Sequence, residues 1–141
     1  MATLERAIEI AAAAHAGTKD KAGRPYILHC LRVMMKMETE EQMMAAVLHD
    51  VVEDTTVSLA QLAERGFPTA VLEAVDALTK QKRETRIAAA RRAKANAIAR
   101  VVKLADNADN LDLTRIPAPS AKDFKRIGQY AAVRQLLLSD G

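Results

Sequence analysis

One short segment of the chain gathers four ionisable side chains at spacings that suit metal chemistry. It begins with His49 and Asp50, which offer two ligands from adjacent positions, and Glu53 and Asp54 each follow one of them by four residues. In a helix this spacing stacks each acid one turn beyond a member of the pair. The preceding apolar run, residues 43–48, predicts a buried helix. Four ionisable groups at its end are costly unless a charge compensates them, so the segment predicts a divalent cation.

A second acidic segment lies further along the chain. Asp106 directly follows four apolar residues that bury the helix, and it is the carboxylate of this segment that most needs a partner; the four are Val101, Val102, Leu104 and Ala105. Asn110 lies one turn later on the same helix face, and Lys103 lies one turn earlier. A Lys103–Asp106 ion pair is the structural alternative to a ligand role for Asp106. Asp109 is expected on a solvated face.

The three histidines have different surroundings in the sequence. His49 has carboxylates beside it, which the role of an ordinary core histidine does not explain, and this favours metal ligation. His29 lies early in an amphipathic helix, where an isolated histidine is more often a surface or half-buried residue. His15 is predicted at a helix C-terminus, where its imidazole meets the last carbonyl groups, and a structural role is favoured there.

The composition predicts an all-α fold in one domain spanning residues 1–141. Half of the residues are apolar but only 3% are aromatic, and the five glycines and four prolines are too few for many tight turns. The single cysteine, Cys30, excludes an internal disulfide framework and fits a reducing compartment. The acidic N-terminus does not resemble a signal peptide, and no apolar stretch approaches membrane-spanning length, so we expect a cytoplasmic protein.

Helix start and stop signals divide the chain into segments. The predicted helices run from Thr3 to His15, from Pro25 to about Met37, from about Glu40 to Glu53, from Ser58 to Gly66, from Pro68 to about Thr79, from Glu84 to about Leu111, and from about Ala121 onward.

The net charge of +3 hides a basic segment between Lys80 and Lys103. This segment carries nine basic residues and one acid, a net charge of +8, so the rest of the chain carries −5. Such a segment suits a polyanionic ligand such as a nucleotide phosphate, and the alternative is a solvated helix face. No aromatic residue lies in the segment to stack on bases, which argues against nucleic-acid binding.

Three blocks of sequence carry a resemblance to a known family: residues 23–29, 46–55 and 102–106. The order of His29, the His49-Asp50 pair and Asp106 resembles the metal-binding signature of HD-domain phosphohydrolases. The flanking residues resemble the hydrolase domain of Rel/Spo homologues, which removes the 3′-pyrophosphate from the alarmone (p)ppGpp using manganese. The resemblance implies a single HD-domain helical bundle with Mn2+ as its metal and a phosphorylated nucleotide as its substrate.

The resemblance also implies three sets of site residues. The metal ligands would be His29, His49, Asp50 and Asp106. The catalytic pair would be Glu53 and Asp54, and the residues facing the nucleotide would be Lys21 and Asn110. Two imidazoles and two carboxylates would leave positions on the ion for water and a phosphate oxygen, and a nearby carboxylate could orient that water.

The chain departs from the family pattern where the nucleotide is recognised. Asp20 and Asn107 each stand where the pattern has Arg, Asp109 stands where it has His, and Cys30 stands where it has Pro. Asp20 is expected to repel a phosphate group. Two alternatives therefore stay open: hydrolysis of another small phosphate ester or nucleotide, and a non-catalytic module that binds a nucleotide.

Overall fold

Side chains that accept hydrogen bonds from first-turn N–H groups mark where most of the helices begin. These N-cap residues are Thr3, Thr39, Ser58, Thr85, Asn96 and Ser120. The computed structural model describes residues 2–112, 116 and 118–139, and this part contains no β-strand. Its helices are α1 (Leu4–Ala14), α2 (Ile27–Met35), α3 (Glu40–Leu48), α4 (Val51–Asp54), α5 (Leu59–Glu64), α6 (Thr69–Leu78), α7 (Arg86–Lys94), α8 (Ala97–Leu111) and α9 (Ala121–Leu138). The predicted all-α fold is confirmed.

Helix α3 is the centre of the core. It begins with a capping box between Thr39 and Gln42, and every residue from Met44 to Leu48 is buried. Helices α1, α2, α6 and α8 all pack against it. A helix that is apolar on all sides must be enclosed by other elements, so α3 carries the residues that follow it into the interior of the protein.

The prediction of one continuous helix from Glu40 to Glu53 is wrong, because the chain turns at His49 and Asp50. The carbonyl oxygen of Ala46 accepts from the His49 backbone N–H at 3.3 Å and from the ring Nδ1 of His49 at 2.5 Å. A side chain that takes a backbone acceptor interrupts the regular ladder of helical hydrogen bonds. Helix α3 therefore ends at Leu48, and α4 begins at Val51.

The predicted helix from Glu84 to about Leu111 is also wrong, since it is two helices. Asn96 has an extended backbone, and its side chain accepts from the N–H of Ala99 at 2.9 Å, which starts α8. The break lets α7 and α8 pack against each other and against α9. Between α7 and α9 a small second cluster of buried residues forms, which contains Ala90, Val133 and Leu137.

Other predicted helix ends agree with the structure within about two residues. Gly17 and Gly66 follow α1 and α5 with φ angles of 84°, a conformation that glycine adopts without strain. Helix α2 ends at Met35, two residues before the predicted position. None of the described helices combines the length and the apolar character needed to span a lipid bilayer.

Candidate metal centre and cavity

Two histidines and two aspartates that are distant in sequence meet at one point of the core. His29 comes from α2, His49 and Asp50 from the junction of α3 and α4, and Asp106 from α8. One ligand atom of each lies within 4.8 Å of those of the other three. Imidazole nitrogen and carboxylate oxygen are donors that divalent transition metals accept. The structure therefore brings together the four residues that the sequence suggested as ligands.

His49 is held in the orientation that a metal ligand needs. Its Nδ1 donates to the Ala46 carbonyl, which leaves Nε2 facing Asp50 Oδ2 at 2.9 Å and Asp106 Oδ1 at 3.3 Å. A hydrogen bond at one ring nitrogen fixes the tautomer and frees the other nitrogen for a metal. Burial lowers the pKa of His49, but the charges of Asp50 and Asp106 outweigh burial and hold the pKa well above its usual range.

Asp106 is the carboxylate that joins the two imidazoles. Its Oδ1 lies 2.9 Å from His29 Nε2 and 3.3 Å from His49 Nε2, and it accepts from Asn110 Nδ2 at 3.2 Å. Its Oδ2 accepts from Lys103 Nζ at 3.1 Å. Burial raises the pKa of Asp106, but the positive charges of Lys103 and His49 hold it well below its usual range. The Lys103–Asp106 ion pair is therefore present together with the ligand cluster.

Tyr26 is a residue of the site that the sequence analysis missed. Its hydroxyl donates to Asp50 Oδ2, and its ring lies between those of His15 and His29, at centroid distances of 5.0 and 5.4 Å. Burial and the charge of Asp50 raise the pKa of Tyr26, so the hydroxyl stays a donor. Its place three residues before His29, at the start of α2, is the signal that could have revealed it. His15 is the C-terminal cap of α1 and is buried.

Asp109 is buried, so the prediction that it lies on a solvated face is wrong. Its Oδ2 lies 2.5 Å from His29 Nδ1, and Arg32 donates to Oδ1 from Nε at 2.8 Å and to Oδ2 from Nη2 at 3.1 Å. Residues three apart share a helix face, and α8 packs against α2 on the face that carries Asp106. The spacing between Asp106 and Asp109 was the signal that could have placed both at the site.

Glu53 and Asp54, the predicted catalytic pair, occupy different positions. Glu53 lines a cavity that opens beside the cluster, and its Oε1 accepts from the backbone N–H of Lys80 at 2.6 Å. Asp54 is not among the lining residues. Burial, followed by the negative charges of Asp50 and Glu53, raises the pKa of Asp54 to about 6. The two carboxylates therefore differ in access to the cavity.

A cavity of about 370 Å³ opens over Asp50 and Asp106. Three cations of the basic segment line it, namely Lys80, Arg86 and Lys103. Positive charge beside a metal site creates a potential that attracts polyanions. This part of the basic segment therefore faces the site.

Other residues of the basic segment support the fold. Arg92 donates from Nε to Glu84 Oε2 at 2.6 Å and from Nη2 to the Thr79 carbonyl at 2.7 Å. Arg100 donates from Nε to the carbonyl of Leu137 in α9 at 2.9 Å. The alternative of a structural or solvated role for the basic segment therefore holds for one part of it, while the other part lines the cavity.

Of the two residues predicted to face a nucleotide, Asn110 lines this cavity, and Lys21 contacts one of its lining residues. Lys21 Nζ donates to the Tyr130 hydroxyl at 2.5 Å and lies 4.8 Å from the ring centroid. Tyr130 lines the cavity, so Lys21 stands at its edge. Asn110 lines the cavity directly, and its amide donates to Asp106.

The residues that depart from the family pattern are engaged within the protein. Asp20 Oδ1 accepts from the backbone N–H groups of Ala22 and Arg24 at 2.9 and 3.0 Å, which shapes the loop between α1 and α2. The repulsion expected between Asp20 and a phosphate stays a prediction. Asn107 is 2% exposed, and its amide donates to the Tyr130 carbonyl at 2.8 Å, which links α8 to α9.

A helical fold that places a His-Asp pair with a second His and a distant Asp defines a class of metal-dependent hydrolases, and comparison with known families agrees. Residues 7–110 match the family described as HD domain, and the chain belongs to that family.

The chain is 34% identical over 123 residues to the guanosine-3′,5′-bis(diphosphate) 3′-pyrophosphohydrolase MESH1 of Drosophila melanogaster, covering 79% of this chain and 68% of that protein. It is 38% identical over 81 residues to the Aquifex aeolicus protein of the same activity name, covering 55% of this chain but 12% of that protein. A solved structure of a metazoan orthologue of SpoT that hydrolyses ppGpp matches with a TM-score of 0.78 at 28% identity, covering 99% of this chain and 87% of that one. The chain therefore spans about one eighth of its Aquifex relative and two thirds of its Drosophila relative.

Proposed function

We propose that this chain is a metal-dependent pyrophosphohydrolase that acts on guanosine 3′,5′-bis(diphosphate) and releases its 3′-pyrophosphate. The observation that carries the proposal is a buried cluster of two histidines and two aspartates that opens into a cavity lined by three cations. The similarity to MESH1 supports the choice of substrate. We further propose that residues 1–141 act as one HD-type hydrolase domain.

The proposed metal is Mn2+, held by the four residues of the cluster, His29, His49, Asp50 and Asp106. A bound divalent cation supplies Lewis acidity, which activates water and offsets negative charge on a phosphoryl group. Glu53 lines the same cavity and is proposed to orient the attacking water and accept its proton. Asp54 completes the proposed catalytic pair, and its raised pKa suits exchange of a proton near neutral pH.

The substrate is proposed to lie along the cationic side of the cavity. Lys80, Arg86 and Lys103 offset phosphate charge there. Lys21 and Asn110 are proposed to contact the nucleotide from the edge and from the floor of the cavity. Location in the cytoplasm stays a prediction from the sequence.

Another phosphorylated nucleotide is a second candidate substrate for the same reaction. Asn107 replaces an Arg of the family pattern and Asp109 replaces a His, and both are committed to contacts inside the protein. A site with fewer cations holds a highly charged tetraphosphate less tightly.

The deciding experiment is a screen of phosphorylated nucleotides with purified protein and Mn2+, analysed for released pyrophosphate and phosphate. We expect pyrophosphate from ppGpp, and no release once a chelator is added. Faster release from a less charged nucleotide would favour the second candidate. Binding of ppGpp without hydrolysis in the presence of any divalent metal would show that the protein is a non-catalytic nucleotide-binding module and not an enzyme.

A further inference from the structure

We propose that Asp109 and Arg32 form a positioning pair that holds His29 in place as a metal ligand. This inference rests on the metal site of the proposed function but not on its substrate. His29 is 3% exposed, and its two ring nitrogens face two different carboxylates. Nε2 faces Asp106 within the ligand cluster, and Nδ1 lies 2.5 Å from Asp109 Oδ2 on the opposite side of the ring.

The two contacts of the His29 ring have different consequences. A proton on Nδ1 donated to Asp109 leaves the Nε2 lone pair directed at the cluster, where Asp50 and Asp106 supply carboxylate oxygens. A carboxylate behind a ligand histidine fixes the tautomer and the ring orientation, and it raises the basicity of the ligand nitrogen. His49 achieves the same result with a backbone carbonyl, so the two imidazoles are oriented by different kinds of acceptor.

Arg32 holds the Asp109 carboxylate in a fixed orientation. Its guanidinium binds both carboxylate oxygens, and this forked geometry fixes the plane of the carboxylate. Arg32 Nη2 also lies 3.9 Å from Asp20 Oδ2, in the loop that carries Lys21. A Lys at position 32 would keep the charge but lose the fork. The pair therefore depends on arginine at this position.

The experiment measures Mn2+ affinity by calorimetry in Asp109→Ala, Asp109→Asn and Arg32→Leu. Disruption of a partner of this kind weakens metal binding about 10- to 100-fold, and we expect the largest rise in Kd for Asp109→Ala. Asp109→Asn keeps an acceptor oxygen without its charge and should lose less. The control is Glu73→Gln, which removes a carboxylate charge at an exposed position of α6, and its Kd should stay within about twofold of wild type, as expected for a surface charge.

A second measurement separates positioning from simple support of the fold. In Zn2+-loaded protein labelled with 15N-histidine, the wild type should show His29 protonated at Nδ1, and Asp109→Ala should lose the hydrogen-bonded signal of that proton. A purely structural role would lower the melting temperature and leave Kd and this signal unchanged, which would overturn the inference. If circular dichroism shows that Asp109→Ala does not fold, the test rests on Asp109→Asn and Arg32→Leu. A Kd for Mn2+ equal to that of wild type in both of these variants would overturn the inference. A wild type that binds no divalent metal would instead overturn the metal site and the proposed function with it.

Discussion

The metal-ligand cluster and the cationic side of the cavity are neighbours but are built differently. The cluster residues are buried or nearly so, and each makes hydrogen bonds to other parts of the core. Arg86, in contrast, is exposed at the start of α7, and Lys80 lies on the segment before that helix. A buried polar group left without a partner is costly, whereas an exposed cation is replaced at little cost.

This difference accounts for the family pattern being kept in the cluster, but not for all departures from it, because Asn107 and Asp109 are themselves buried. A change at one cluster residue would leave the others as unpaired buried charges, so the reaction chemistry is fixed by the core. At positions where the family pattern has a nucleotide-recognition residue, Asp20 and Asn107 instead make hydrogen bonds within the protein. The substrate is therefore the property that can vary on this fold, and four experiments test the contrast.

Removal of a cluster carboxylate should have the largest effect. Asp50→Ala should lose bound Mn2+ and bring hydrolysis to background, because two imidazoles and one carboxylate hold a divalent cation far more weakly. It should also lose the thermal stabilisation by Mn2+, which amounts to about 2.7 kcal/mol at a metal concentration of 100 Kd. Metal analysis and thermal melts check this, with exposed Glu73→Ala as the control. A full equivalent of manganese in Asp50→Ala would exclude Asp50 from the ligands.

Glu53→Gln tests whether the cavity carboxylate acts in the chemistry rather than on the metal. The amide keeps an oxygen that can accept from the Lys80 N–H, so the local structure is preserved. It removes basicity, and kcat should therefore fall about 100-fold or more while metal content stays at the wild-type level. The control is Glu73→Gln, an exposed carboxylate outside the cavity lining, which should keep wild-type kcat. Unchanged turnover in Glu53→Gln would show that Glu53 has no catalytic role and only holds the segment around Lys80 in place.

The sequence predicted the parts of the fold and site that depend on local patterns. The start signal at Ser58 located the beginning of α5, and the spacing of His49, Asp50 and Asp106 within a known family pattern identified the cluster. The break at His49 was missed because it depends on a ring nitrogen bonding a carbonyl, which no helix propensity describes. Asp109 was misplaced because its three-residue spacing from Asp106 was not used, and the packing of α8 on α2 shows that this helix face is buried.

Arg86→Ala should raise KM for ppGpp moderately and leave kcat and Mn2+ affinity almost unchanged. An exposed charged contact contributes up to about 1 kcal/mol, which corresponds to a change of about fivefold. The effect should shrink with added salt because screening weakens exposed charges. Arg91→Ala, on an exposed position of the same helix, is the control. Steady-state kinetics at two salt concentrations test this prediction. Equal KM values for the two variants would show that Arg86 does not contact the substrate.

The smallest effect should come from Glu84, which accepts a hydrogen bond from Arg92 in the part of the basic segment that supports the fold. The side-chain hydrogen bond from Arg92, together with the backbone N–H of Gln81, lowers the pKa of Glu84 to about 2 from its usual value of 4.5. A carboxyl whose pKa is lower in the folded state stabilises the fold above the unfolded pKa, and this contribution is lost as the pH falls through the folded pKa. Glu84→Gln should therefore melt below wild type at neutral pH, and the gap should narrow steadily between pH 4.5 and 2. Glu73→Gln should show no such gap, and Mn2+ affinity at neutral pH should be the same in all three proteins. A gap that stays constant down to pH 3 would mean that the lost stability does not come from the Glu84 charge, and weakened Mn2+ binding would mean that the cationic side and the metal centre are not independent.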